Sequence, residues 1–226
     1  MAKFHPTPRW VLNQLRLAYG PRPWTNHGNP VSILVGTILS QNTSDTNSSA
    51  GYRKLWNRFR SWKKVADAPT EEVARCIRIS GLSNIKAPRI QTILRQIRSE
   101  HGKISLDHLA SMSMPDARSY LLSFTGIGPK TANCVLLFSQ FHAVFPVDTH
   151  IHRIAIRLGW LPPRTSADQA HDSLEPAIAP AERYEMHVLL ITHGRQTCKA
   201  RSPLCHRCRL QPRCPMGQLQ RSGKGT

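Results

Sequence analysis

The stretch Phe124–Asn133, FTGIGPKTAN, sets a lysine just past a Gly-Ile-Gly turn and follows it with a threonine. A glycine turn followed by Lys-Thr invites comparison with a nucleotide phosphate loop, which requires Gly-x4-Gly-Lys-Ser/Thr after a β-strand. Here Pro129, not glycine, precedes Lys130, and Phe124 stands where the first glycine belongs. The preceding SYLLSF reads as the end of a helix, and no later strand offers an acidic residue for a magnesium ion. Spacing and context both exclude an NTPase. What remains is helix, tight turn, helix. Glycines at 126 and 128 permit positive φ and close backbone approach, and Pro129 suits the first position of the second helix.

Working outward, the chain reads as helix after helix. PRWVLNQLRLAYG places Trp10, Val11, Leu15 and Leu17 at helical spacing and ends near Gly20. NPVSILVGTILSQ is apolar nearly all round, the mark of a buried helix. SDTNSSAGYRKLWNRF opens on a Ser44 cap, and PTEEVARCIRIS on a Thr70 cap with acids in its first turn. IKAPRIQTILRQIRSEHG stops at Gly102. SLDHLASM and PDARSYLLSF are short helices, followed by KTANCVLLFSQF, DTHIHRIAIRLGW, SADQAHDSLEPAI and AERYEMHVLLITHGRQTC. The one β-like piece, HAVFPV (142–147), is short and holds a proline, so it is a connector. With no alternation of strands and helices the class is all-α. The segment after Cys214 is polar and basic, and a disordered tail is expected over 215–226.

The 226 residues carry 31 Lys and Arg against 13 Asp and Glu, a formal net charge of +18. Such an excess strains a compact fold and makes sense against a polyanion, nucleic acid first. A membrane is the second candidate, but no apolar run reaches spanning length and no lipidation motif appears. The first twenty residues lack the apolar core of a signal peptide. An intracellular, reducing compartment is expected. In that setting the crowding of Cys198, Cys205, Cys208 and Cys214 points to a metal or cluster rather than disulfides. Cys76 and Cys134 stand apart on apolar helix faces and read as core. His150 and His152 flank Ile151 on one helix and so face different ways.

The amides around Gly126 and Gly128 would point outward at a helix N-terminus, a good seat for a DNA phosphate. A plain helical hairpin turn needs the glycines equally. The stretch alone leaves both readings open, and the net charge favours DNA. Lys130 is the odd element. A cation in the first turn opposes the helix dipole; the plain reading is that Lys130 points into water or contacts a phosphate, and the sharper one that the placement suits an amine that acts as a nucleophile. Eighteen residues on, VFPVDTHIHRI contains Asp148, whose minimal role is to cap the helix from Thr149.

Taken together, FTGIGPKTAN and PVDTHIHRI, with Lys130 and Asp148 at this separation, resemble the helix-hairpin-helix DNA glycosylases, endonuclease III most closely. The resemblance runs from about Pro21 to Cys214. It implies that Lys130 is the catalytic lysine and Asp148 the catalytic aspartate. In such enzymes the damaged nucleotide is flipped from the duplex. The amine then attacks C1′ of the deoxyribose, and the Schiff base leads to β-elimination of the 3′ phosphate. ILSQNTSDTN (38–47) resembles the segment that fills the gap left by the flipped base, with Gln41 as the plug; a polar turn between helices is the simpler alternative. SGLSNIKA (80–87) resembles the loop that inserts a residue into the stack, with Leu82 as the wedge; a leucine covering a helix end is its alternative. Gly126 and Gly128 would meet the DNA backbone.

The resemblance extends to the cysteines. Cys198-x6-Cys205-x2-Cys208-x5-Cys214 has one CxxC pair, where zinc ribbons use two. Its spacing is similar to the [4Fe–4S] loop of the endonuclease III family, and zinc is the remaining alternative. Arg195, Lys199, Arg201, Arg207, Arg209 and Arg213 surround it. The resemblance implies a six-helix domain over 21–133 and a cluster domain made of 1–20 and 134–214. It implies a monomer acting in bacterial or archaeal cytoplasm on double-stranded DNA with damaged bases or abasic sites. Oxidised pyrimidines are the expected lesions. A monofunctional glycosylase for alkylated or mismatched bases would lack Lys130. The adenine-specific branch would carry glutamate at Thr37. A non-catalytic binder would need neither Lys130 nor Asp148.

Overall fold

A computed structural model describes residues 5–139 and 141–221, and these residues are all-α, with no strand among them. The chain forms two compact units: residues 26–142 make one, and residues 1–25 with 143–226 make the other. The split unit opens with α1 (Pro8–Tyr19). The inserted unit carries α2 (Pro30–Ser40), α3 (Asp45–Phe59), α4 (Trp62–Asp67), α5 (Thr70–Ile77), α6 (Ser83–His101), α7 (Met114–Leu122) and α8 (Pro129–Phe138). The split unit resumes with α9 (Thr149–Leu158), α10 (Ala167–Leu174), α11 (Arg183–Gln196) and α12 (Pro215–Arg221).

In the inserted unit α2 is the hub. Seven of its eleven residues are buried, and it packs against α3, α6 and α8. α8 packs against α2, and the whole of α8 belongs to this unit. The division therefore falls at 142/143, not at the 133/134 expected from sequence. Ile90, Leu94 and Ile97 of α6 complete the core at helical spacing. The split unit is built around α9 and α11, with Val11, Leu12 and Leu15 of α1 packed into the same core as Ile151, Ile154, Leu158, Leu189 and Leu190.

Local chemistry explains the differences from the sequence reading. Thr70 is not a cap: Pro69 occupies that place, and the Thr70 hydroxyl donates to Gln91 Oε1 at 2.7 Å. SLDHLASM makes only a 3-10 turn over Asp107–Ser111. The helix α4, too short to declare itself, is fixed by a Ser61 cap and by burial of Trp62, Val65 and Ala66. The expected disordered tail is helical from Pro215 to Arg221, and residues 222–226 lie outside the described residues. HAVFPV is a connector. Among the described residues no helix is long and apolar enough to cross a membrane.

Candidate functional site

In the inserted unit, α7 and α8 form the hairpin. Ile127 N–H donates to Phe124 O at 3.1 Å and closes a four-residue turn. Its third residue, Gly126, has φ +81°, a conformation that selects glycine. Gly128 is different: it is the N-cap of α8 with φ −99°, and its carbonyl accepts from Thr131 and Ala132 N–H at 3.0 Å each. Among the described residues the N–H groups of Gly126, Gly128 and Lys130 have no acceptor. Lys130 follows Pro129 in the first turn, half-buried, and no described residue pairs with its ammonium.

Gln41 is brought to this hairpin. It ends α2, and its Nε2 donates to Thr131 Oγ1 at 3.4 Å, the residue next to Lys130. Its Oε1 accepts from Arg89 Nη1 at 3.2 Å. Arg89 lies against the turn as well: a Cβ built on Gly126 would stand 2.3 Å from Arg89 Nε. Gly126 is thus small for two reasons, its φ and the guanidinium packed on it.

Leu82 precedes α6 with φ +50° and is half exposed. Ile79 and Ile85, 42% and 53% exposed, extend it into an apolar edge. A leucine in the left-handed region is strained by about 1–2 kcal/mol, so the surrounding structure must hold it there. The main-chain N–H groups of Ile85 and Lys86 both donate to its carbonyl.

In the split unit, Asp148 caps α9 by accepting from Ile151 N–H through Oδ1 at 2.8 Å. The connector leading to it is tied down residue by residue. Phe145 N–H donates to Glu175 Oε2 at 2.9 Å, Pro146 O accepts from His187 Nδ1 at 2.9 Å, and Val147 N–H donates to His171 Nε2 at 3.0 Å. A main-chain N–H can only donate, so His171 Nε2 is unprotonated and Nδ1 donates to Ala167 O at 3.0 Å.

The other end of α9 holds the cysteine loop. Arg153 donates to Cys198 O and Gly194 O, while Arg157 donates to Cys198 Sγ at 3.2 Å, Lys199 O at 2.7 Å and Ala200 O at 3.0 Å. All four cysteines line one cavity, walled by Ile154, Leu158, Leu204, Leu210 and Met216. Burial, reinforced by the neighbouring thiols, pushes Cys208 up to about 11 and raises Cys214 as well. The sulfurs keep separate partners: Arg157 on Cys198, His193 Nε2 at 3.7 Å from Cys208, and the Arg157 carbonyl for Cys214. Accordingly no group of three or more His, Cys, Asp or Glu among the described residues is arranged to hold a metal ion. The donor set itself, four soft sulfurs in an apolar cavity without a carboxylate, fits an iron–sulfur cluster. His150 and His152 turn to different partners, Arg153 and Thr165 O.

The sequence pattern of the HhH-GPD superfamily base excision DNA repair proteins matches residues 35–180. Endonuclease III of Thermotoga maritima is 33% identical over 197 residues, 87% of each chain. This chain belongs to the endonuclease III family. Endonuclease III of Sulfolobus acidocaldarius is 31% identical over 82% of each chain. The DNA glycosylase/AP lyase ROS1 of Arabidopsis thaliana is 35% identical over 68% of this chain, which spans 12% of that protein. A second Arabidopsis thaliana protein, named provisionally as a DNA glycosylase, is 36% identical, and the chain spans 57% of its length. Two solved structures, a non-covalent endonuclease III–DNA complex and a trapped endonuclease III–DNA covalent intermediate, each superpose with a TM-score of 0.80. They are 27% and 28% identical and cover 95% and 94% of this chain, and 96% of each of theirs.

In this endonuclease III family member, the residues that sequence reasoning passed over are Arg89, Lys86, Arg153, Arg157, His171 and His187. The arginines of α9 carried a readable signal. Arg153 and Arg157 stand four apart beside the apolar stripe Ile151, Ile154 and Leu158, so they share one face. Arg89 and His171 carried none, since their partners lie 48 and 24 residues away.

Proposed function

We propose that the chain is a bifunctional DNA glycosylase and AP lyase of base excision repair, acting as a monomer on double-stranded DNA. Its substrates are damaged bases, oxidised pyrimidines in particular, and abasic sites. The observation that carries this reading is Lys130: an amine with no ion-pair partner among the described residues, in the first turn after a glycine hairpin, one residue from the threonine that binds Gln41. A lysine there needs a use other than charge balance. The three unengaged N–H groups of the turn suit a DNA phosphate and would hold the backbone beside that amine.

In the proposed reaction the Lys130 Nζ lone pair forms a bond to C1′ as the glycosidic bond breaks and the base leaves. The sugar ring opens to a protonated Schiff base. Loss of a C2′ proton then expels the 3′ phosphate. Asp148, whose Oδ1 caps α9, stabilises the positive sugar or accepts a proton. Gln41 enters the space of the flipped base by exchanging its Arg89 and Thr131 partners for base contacts, and Leu82 wedges the stack from its apolar edge. A [4Fe–4S] cluster would be held by Cys198, Cys205, Cys208 and Cys214, where it would supply a four-point tie for a loop bearing exposed Lys199, Arg201, Arg207, Arg209 and Arg213.

Borohydride trapping on a duplex with one abasic site tests the reading. The wild type is expected to give a covalent adduct that Lys130→Ala abolishes. An adduct that persists in Lys130→Ala removes the assignment, and no adduct from the wild type, together with free base released from a second duplex that carries a damaged base, favours a monofunctional glycosylase. Iron and acid-labile sulfide in the purified protein, against zinc, test the cysteine loop.

A further inference from the structure

Lys86 lies in the first turn of α6 and is 2% exposed. Its Nζ donates to two main-chain carbonyls, Leu39 O and Ser80 O, at 2.8 Å each. No carboxylate among the described residues pairs with it. Burial, and then the charge of Arg89, hold its pKa below the ordinary lysine value. A buried ammonium without a counter-ion is costly, and a well-packed apolar side chain of the same length would serve stability as well or better.

The two acceptors explain why a lysine stands there. Leu39 lies two residues before Gln41, and Ser80 two residues before Leu82. Both tips turn through left-handed, non-glycine residues: Asn42 at φ +53°, directly after Gln41, and Leu82 itself at +50°. Such conformations persist only where neighbouring contacts over-determine them. The Leu39 carbonyl belongs to the last turn of α2, where carbonyls lack helical partners. One ammonium therefore ends α2 and fixes the approach to both tips at a common point.

We propose that Lys86 is a positioning residue that sets the spacing of the two side chains entering DNA, Gln41 and Leu82. The proposal rests on the DNA-inserting roles given to those residues above. Lys86 touches no substrate and makes no bond in the reaction. It couples the two tips, so that neither can shift without loosening the other.

The test is Lys86→Met, which keeps length and volume and deletes both hydrogen bonds, with Lys86→Gln as a second variant that retains a donor. A duplex abasic site requires both tips, whereas an abasic single strand has no opposite base to displace. Single-turnover borohydride trapping on the duplex is expected to slow about ten-fold or more in Lys86→Met and less in Lys86→Gln, with the single-strand rate unchanged in both. A 2-aminopurine opposite the abasic site should brighten when wild-type protein binds and fail to brighten with saturating Lys86→Met. Equal slowing on both substrates, or full brightening with the variant, would overturn the proposal. The fluorescence readout needs no chemistry, so it decides the role of Lys86 even if the wild type forms no adduct, an outcome that removes only the lyase reading.

Discussion

Lys130 and Asp148 are presented to their surroundings by opposite means. Lys130 follows a turn made by backbone chemistry: one glycine with positive φ, a proline to start the helix, and a hydrogen bond from Ile127 to Phe124. Asp148 follows a connector with no regular structure, held by Glu175, His187 and His171, which take its main-chain groups one after another. The first arrangement is local, with each of these features between Phe124 and Pro129. The second depends on side chains 24 to 41 residues distant. A local device should respond to substitutions within the turn, and a distant one to anything that disturbs α10 or α11.

The largest expected effect lies at Asp148, where the proposed function adds a second role to a carboxylate that caps α9. Oδ1 caps α9, and asparagine caps as well as aspartate. Asp148→Asn should therefore fold with an unchanged thermal midpoint yet lose about a hundred-fold or more in single-turnover base release, the scale of a lost general base or carboxylate. Asp148→Ala should show the same rate loss and also give up about 1 kcal/mol of stability with the cap. If Asp148→Asn retains its rate, the residue is a cap alone.

On the Lys130 side, the two glycines of the hairpin should part company. Gly126→Ala meets a left-handed φ and pushes Arg89 off Gln41. Strain and the broken hydrogen bond together should cost about 2 kcal/mol, read as a lower urea midpoint, with weaker binding to abasic duplex. Gly128→Ala has an extended φ and open space around its Cβ. Its stability should stay within about 0.5 kcal/mol, because lower unfolded-state entropy offsets the poorer cap. Arg89→Ala in the Gly126→Ala background should recover part of the loss. Equal costs at the two glycines would refute the distinction drawn between them.

That distinction also marks what the sequence made legible. Both glycines were readable as turn residues, because φ freedom belongs to the residue itself. That only Gly126 uses it, and that Arg89 closes over it, depends on a contact from α6 that no local pattern carries. The all-α class, the buried α2 and the Ser44 and Asp148 caps were readable for the same reason as the turn: each follows from spacing or from a side chain bonding its own neighbours. Thr70 shows the limit. A threonine before a helical pattern reads as a cap, but Gln91 competes for its hydroxyl from another helix. At the cysteines the spacing singled out four residues that line one cavity, and the packing that separates their partners, Arg157 and His193 above all, comes from α9 and α11.

The smallest expected effect tests the tethered side of the comparison through charge. Glu185 sits in the first turn of α11, the helix that supplies His187. It accepts from Arg16 Nη2 at 2.6 Å and from Arg22 N–H at 2.9 Å, joining α11 to α1. The hydrogen bond from Arg16 holds its carboxyl below the ordinary glutamate value. The unfolded chain therefore binds this proton more readily than the folded one, and the stabilisation is present above the ordinary carboxylate range and lost on acidification through the lowered value. Glu185→Gln should cost about 1 kcal/mol at neutral pH, kept small by the partly exposed guanidinium, and nothing once the pH is below the lowered value of Glu185. Amide exchange gives the readout by position. At neutral pH the substitution should speed exchange at Val147, in the connector, and leave Ile127, in the glycine turn, unchanged. Faster exchange at both would mean that the turn is not self-sufficient, and a difference that persists at low pH would assign Glu185 to packing rather than charge.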